Sequence, residues 1–175
     1  GAFFPRLGNS YRVWLNGYLL AEAGDPAQAN GEDHAKSASY VPIPSGLLER
    51  DNLLRVEIRA DDGRRGGLST VTLGPAAEVL PLYESSRLWR VDASLAITVF
   101  SLLVALIALV LWLTQQDATP GARRRDNTYL WAALAELSWA LRVGDVAIVD
   151  PPLAWPVWGV VVTAAFAGWI CCTAL

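Results

Sequence analysis

Ala93 to Leu113 is an uncharged apolar run of 21 residues, and it restricts the fold more than any other stretch of the chain. Coiled as an α-helix it is about 31 Å long at about 1.5 Å per residue, close to the roughly 30 Å hydrocarbon core of a bilayer. A helix packed in a water-soluble protein carries a polar stripe, and this run has none. The residues before it are polar and patterned as strands. The chain is therefore expected to divide between two solvents.

Composition sharpens that division. Hydrophobic residues make up 53 % of the 175 residues, and most charged residues fall before Ala93. The first half thus has the makeup of a small water-soluble domain, the second that of a membrane region. A net charge of −3 offers no basic face to nucleic acid. The only cysteines, Cys171 and Cys172, adjoin in an apolar stretch and suit small buried hydrophobes, so no disulfide staples the first half. The opening Gly1-Ala2-Phe3-Phe4-Pro5 has no initiator Met or signal peptide and reads as the middle of something; the expectation is a fragment, truncated at both ends.

Tyr11 to Leu15 and Tyr18 to Leu20 are strand-like runs joined by Asn16-Gly17, a pair suited to a type I′ hairpin turn because both central residues need positive φ. Gly24 to Ser39 is a polar loop, and Val41-Pro42-Ile43-Pro44 is extended because proline fixes its own φ and restricts its predecessor. Across Asn52 to Ala60, Leu54, Val56, Ile58 and Ala60 share one face and Arg55, Glu57 and Arg59 the other, the pattern of a strand with one solvated side. Asp61-Asp62-Gly63 and Gly66-Gly67 mark turns, and Leu68 to Leu73 is a further strand candidate. With no strand recognised before Tyr11, the first strands of the domain are expected to be missing.

Three membrane spans are expected, at about 93–114, 128–144 and 155–175, after a β-sandwich over 1–80 and a connector over 81–92. Trp112, Trp131, Trp155 and Trp158 lie near the span ends, as interfacial aromatics do. Arg123, Arg124 and Arg125 assign the loop after the first span to the cytoplasm. The acidic loop from Asp145 to Ala154, which lacks Lys and Arg, goes outside with the β domain. Arg87 and Arg90 flank the first span on the outer side and narrow that margin.

Several short pieces in order carry a resemblance: Val13-Trp14-Leu15-Asn16-Gly17, Val41-Pro42-Ile43-Pro44 with Leu47-Leu48, Asn52-Leu53-Leu54-Arg55-Val56, and Gly66-Gly67-Leu68. They resemble the galactose-binding-like jelly roll. Arg125 to Leu134, Trp139-Ala140-Leu141-Arg142 and Asp150-Pro151-Pro152-Leu153 extend the likeness to the seven-transmembrane receptors with diverse intracellular signalling modules. The resemblance implies a mixed fold, a partial all-β jelly-roll-like outer domain followed by an α-helical multi-span region. It also implies a homodimer in a bacterial inner membrane, with the N-terminal domain periplasmic. In that family a histidine kinase or a diguanylate cyclase follows inside, so such activity would belong to residues beyond Leu175.

Few side chains stand out as sites. Glu136 falls mid-span, where a carboxylate costs about 2.5–3.5 kcal/mol on insertion scales and needs a partner or a proton. Two roles fit it: a switch whose pairing differs between signalling states, or a constitutive interhelical hydrogen bond. Arg142 is expected to snorkel to headgroups, and the three arginines to set topology. Trp14, Tyr40 and His34 are candidate ligand contacts, since an aromatic beside polar groups stacks on a sugar ring. The alternative for each is core or sheet packing. No metal, cofactor or catalytic constellation is legible: one histidine and two apolar-embedded cysteines make no site. The expected function is the sensor portion of a membrane receptor, with the bilayer and a small molecule (a carbohydrate among the options) or protein as partners. A membrane-anchored carbohydrate-binding module of a hydrolase and an accessory-domain transporter subunit are the rivals.

Overall fold

A computed structural model describes residues 1–115 and 126–175. It divides into two units, Gly1–Asp92 with Val146–Trp158, and Ala93–Asp145 with Gly159–Leu175. The arginine triplet Arg123, Arg124 and Arg125 lies outside the described residues.

The first unit holds six strands in two antiparallel sheets. β1 (Ala2–Phe4) lies between β4 (Ser39–Val41) and β6 (Thr72–Leu73), while β2 (Ser10–Leu15) lies between β3 (Tyr18–Ala23) and β5 (Leu54–Arg59). Strand alternation explains how these pack. Ala2 and Phe4 of β1 and Val13 of β2 join Leu7 and Val41 in one buried cluster, against which Leu54, Val56 and Ile58 of β5 are packed. Phe3 points the other way and meets Val79 of helix α1 (Ala76–Arg87), with Tyr40 and Tyr83 alongside. The order of layers is sheet, sheet, helix.

Asn16 and Gly17 close the β2–β3 hairpin with φ of 51° and 86°, the left-handed pair that a type I′ turn demands. Asn16 is held there by its side chain, which donates to the Leu47 carbonyl and accepts from the Leu53 N–H.

In the second unit, α2 (Ala93–Thr114) packs on α3 (Thr128–Gly144), and α4 (Val157–Thr173) follows. The buried positions of α2 are Ser101, Ala105 and Ala108, and those of α3 are Ala133, Ala135 and Ala140. Small residues let two helix backbones approach closely. Gly144 sits against Thr98 at the same seam, so the two helices run antiparallel. The large apolar residues of α2, among them Phe100, Leu103, Leu106 and Ile107, are exposed.

Two expectations are corrected here. The fold is a small mixed α/β arrangement and not a jelly roll followed by a multi-span region. A jelly roll needs eight strands in two Greek keys; here β1 and β4 have three residues each and β6 two, and the Leu68–Leu73 stretch is mostly irregular. Helix α1 covers a sheet face that a jelly roll would leave to strands or solvent. Among the described residues, one helical run is long and apolar enough to cross a membrane: Ala76–Thr114, through a π-helical turn at Leu88–Asp92. Helices α3 and α4 have 17 residues each, about 25 Å at about 1.5 Å per residue, and α3 carries Glu136 and Arg142. The strand missing from the sequence reading is present as β1, at the centre of its sheet.

Candidate functional site

Polar side chains concentrate at one end of the second sheet, where the start of β2, the 24–33 loop, the turn after β5 and the Val146–Trp158 segment meet. Asn9 organises the floor. It is buried; its Nδ2 donates to Asp33 (2.6 Å) and its Oδ1 accepts from the Asp61 N–H (2.9 Å). The Asn9 carbonyl accepts from His34 N–H at 2.9 Å. Gly66 passes so close that a Cβ there would lie 2.6 Å from Asn9 Oδ1, which explains a glycine at that position.

Asp61 is the anchor of this floor. Its carboxylate accepts from Arg59 Nε (2.7 Å), Arg64 (3.2 Å) and the Asn30 N–H (3.0 Å). The Asp61 and Arg64 side chains are 2 % and 1 % exposed. Burial alone would raise the Asp61 pKa, but the hydrogen bonds from Arg59, Arg64 and Asn30 outweigh it and hold the carboxyl below its ordinary value. Arg64 also donates to the Gly31 carbonyl and lies over the Trp155 ring, 5.1 Å from its centroid. Trp155 in turn donates from Nε1 to the Asp62 carbonyl.

The Val146–Trp158 segment belongs to this unit through further bonds: Asp33 N–H to the Val149 carbonyl (2.8 Å) and Lys36 Nζ to the Ile148 carbonyl (3.0 Å). Together these elements enclose a pocket of about 220 Å³, lined by Ser10, Asp25, Gln28, Glu32, Asp61 and Asp150, with the backbone of Gly31. That is smaller than the roughly 300–1,000 Å³ of pockets for drug-sized ligands. It suits a small polar ligand.

The aromatic candidates lie elsewhere. Trp14, on the outer face of β2, carries the Arg55 guanidinium 4.9 Å from its ring centroid, a cross-strand pair with β5. Tyr40 meets Tyr83 of α1 with ring centroids 6.1 Å apart. His34 is beside the pocket: its Nε2 lies 2.6 Å from Glu32 and its ring meets Tyr11 edge-on at 6.1 Å. None of the three lines the pocket, and Trp14 and Tyr40 stand in different sheets. Glu136 is half-buried in α3 and has no hydrogen-bond or ion-pair partner among the described residues. Among those residues no three His, Cys, Asp or Glu side chains converge to hold a metal ion.

Ser10, Asp25, Asp61 and Asp150 were not visible as a group in the sequence, since they are far apart along the chain. Asp61 did carry a local signal, the Asp61-Asp62-Gly63 turn, whose Asp61 carbonyl accepts from Arg64 N–H. Compared with known proteins, the chain matches no family model, no curated protein and no solved structure.

Proposed function

We propose that this chain is the input part of a bacterial membrane receptor, in which the sheet unit binds a small ligand outside the cell and α2 anchors it in the bilayer. The output, a histidine kinase or a diguanylate cyclase, would lie on the cytoplasmic side. The observation that carries the reading is the makeup of the pocket wall. Asp150 comes from the Val146–Trp158 segment, which runs in the chain between α3 and α4, while the other walls come from the sheet unit's own loops. A ligand that touches both favours whichever helix arrangement holds the segment closed, by its difference in affinity for the two states.

Attachment to lipid rests on α2. It exposes large apolar side chains along its whole length, from Leu95 and Ile97 through Phe100, Leu103, Leu106 and Ile107 to Leu113, and contiguous apolar surface of this kind marks an interaction or membrane face. The orientation rests on Arg123, Arg124 and Arg125, which follow that helix and favour the cytoplasm; α3, antiparallel to α2, then leads the chain back to the Val146–Trp158 segment on the side of the sheet unit.

Cysteine labelling tests this. With Cys171→Ser and Cys172→Ser as background, Arg50→Cys is expected to react with a membrane-impermeant maleimide in intact cells, and Arg124→Cys to react only after lysis. The opposite pattern reverses the orientation, and extraction of the protein by alkaline carbonate overturns the attachment. In the receptor with its output module, Glu136→Gln is expected to change ligand-dependent output without changing the labelling. Unchanged output would leave Glu136 a structural role only.

A further inference from the structure

The chemistry of the pocket narrows the ligand. Ser10 is 4 % exposed and lines the pocket, and its Oγ has no hydrogen-bond partner. It lies on the face of β2 opposite Tyr11 and Val13, which pack in the core. A buried hydroxyl without a partner is costly and rare, so it marks a place where a bound group completes the bonding.

Around Ser10 stand four carboxylates and no basic side chain among the lining residues. Three of them are engaged to different degrees. Asp61 is saturated by Arg59, Arg64 and Asn30. Asp25 accepts from the Ala27 N–H through Oδ1, which lies 3.6 Å from Arg12. Glu32 meets His34 through Oε2 alone. Asp150 has no partner among the described residues, and the Gln28 side chain makes no hydrogen bond there either. The pocket thus offers acceptors in excess and negative charge in excess.

A bare metal ion does not use this arrangement. It requires several oxygens converging at about 2.3–2.6 Å, and no such trio of acidic or imidazole groups exists among the described residues. A neutral sugar leaves the carboxylates uncompensated and finds no aromatic ring on the wall to stack on. A quaternary ammonium has no N–H for Ser10 and likewise lacks an aromatic cage.

We propose that the pocket binds a small primary organic ammonium, its three N–H groups donating to Ser10 Oγ, to Asp150 and to a free oxygen of Asp25 or Glu32. Charge-assisted bonds of this kind are the strong class, and the 220 Å³ volume limits the ligand to a few carbon atoms. The inference rests on the receptor reading only for its consequence; the binding itself does not require it.

Isothermal titration of the full chain in nanodiscs tests this with putrescine and ethanolamine as probes, beside tetramethylammonium, calcium chloride and galactose. Saturable binding of at least one of the two amines is expected. It should weaken roughly tenfold in Asp150→Asn and about fivefold in Ser10→Ala, in line with the loss of one charged and one neutral hydrogen bond. Asp150 is exposed, so its variant is expected to melt like the parent and serves as the check if Ser10→Ala perturbs folding. No saturable binding of either amine overturns the proposal. So does amine binding that Asp150→Asn leaves unchanged, or tighter binding of calcium, tetramethylammonium or galactose. Failure here leaves the maleimide labelling pattern untouched, so loss of the ligand class is distinguishable from loss of the membrane receptor reading.

Discussion

The sheet unit fully buries large apolar side chains, Phe4, Leu7, Val13, Val41 and Val79 among them, whereas the buried positions of α2 and α3 are Ser101, Ala105, Ala108, Ala133, Ala135 and Ala140. The exposed side chains are reversed to match: α2 turns Phe100, Leu103, Leu106 and Ile107 outward. Water drives large apolar groups inward, because each one fully buried is worth about 1.5–3 kcal/mol. Hydrocarbon gives no such drive between helices, so close backbone approach through small residues decides the contact. The contrast between the two units is the one expected of two different solvents, and it is open to direct attack.

The largest effect is expected at Phe4. Phe4→Ala should destabilise the sheet unit by about 3–5 kcal/mol, read from chemical denaturation followed by near-ultraviolet dichroism, while helical content persists. Loss of both signals together would mean that the units do not differ in what holds them.

Asp61→Asn comes next, at about 3 kcal/mol, since it leaves Arg64 buried without its counter-charge. The pH dependence has a definite sign. The folded-state pKa lies below the ordinary 3.8, so the contribution is complete above that value and fades as pH falls through the lower native one. The stability gap between parent and variant should therefore narrow only in strong acid. A gap that closes near neutrality would contradict the pairing.

The helix seam offers a smaller test. Ala105→Leu overfills the α2–α3 contact and should cost about 1–3 kcal/mol in detergent or nanodisc melting. Leu103→Ala, on the outward face, should shift the same melt by under about 0.5 kcal/mol. Equal effects at the two positions would erase the distinction between seam and outward face.

The smallest effect is at the hairpin. Asn16→Ala removes side-chain bonds to Leu47 and Leu53 and places a Cβ residue less tolerant of positive φ, for about 1 kcal/mol by thermal melting. No measurable change would mean that neighbouring strands alone fix the turn.

Elements whose signal is local were legible. The alternation of Leu54, Val56 and Ile58 with Arg55, Glu57 and Arg59 marked β5, and Asn16-Gly17 marked the β2–β3 hairpin, because period and turn chemistry act within a few residues. Helix α1 was not legible. Pro81 sits inside it and its apolar residues show little periodicity, so its helical state depends on packing Val79 and Tyr83 against Phe3 and Tyr40. β1 was missed for a similar reason: three residues beside a proline carry almost no pattern, and pairing on both edges makes the strand.

The sequence by itself determined that Ala93–Thr114 is an apolar helix of membrane length, since hydropathy and helical rise require only neighbouring residues. It also determined the half-solvated strand and the left-handed turn. Tertiary structure alone decided that α1 caps the first sheet and that, among the described residues, one helical run reaches membrane length. It alone set Ser10, Asp25, Glu32, Asp61 and Asp150 around one pocket. Those groups are separated by up to 140 positions, and no local rule of propensity or spacing acts across such a distance; only the packing of sheet, loop and returning segment brings them together.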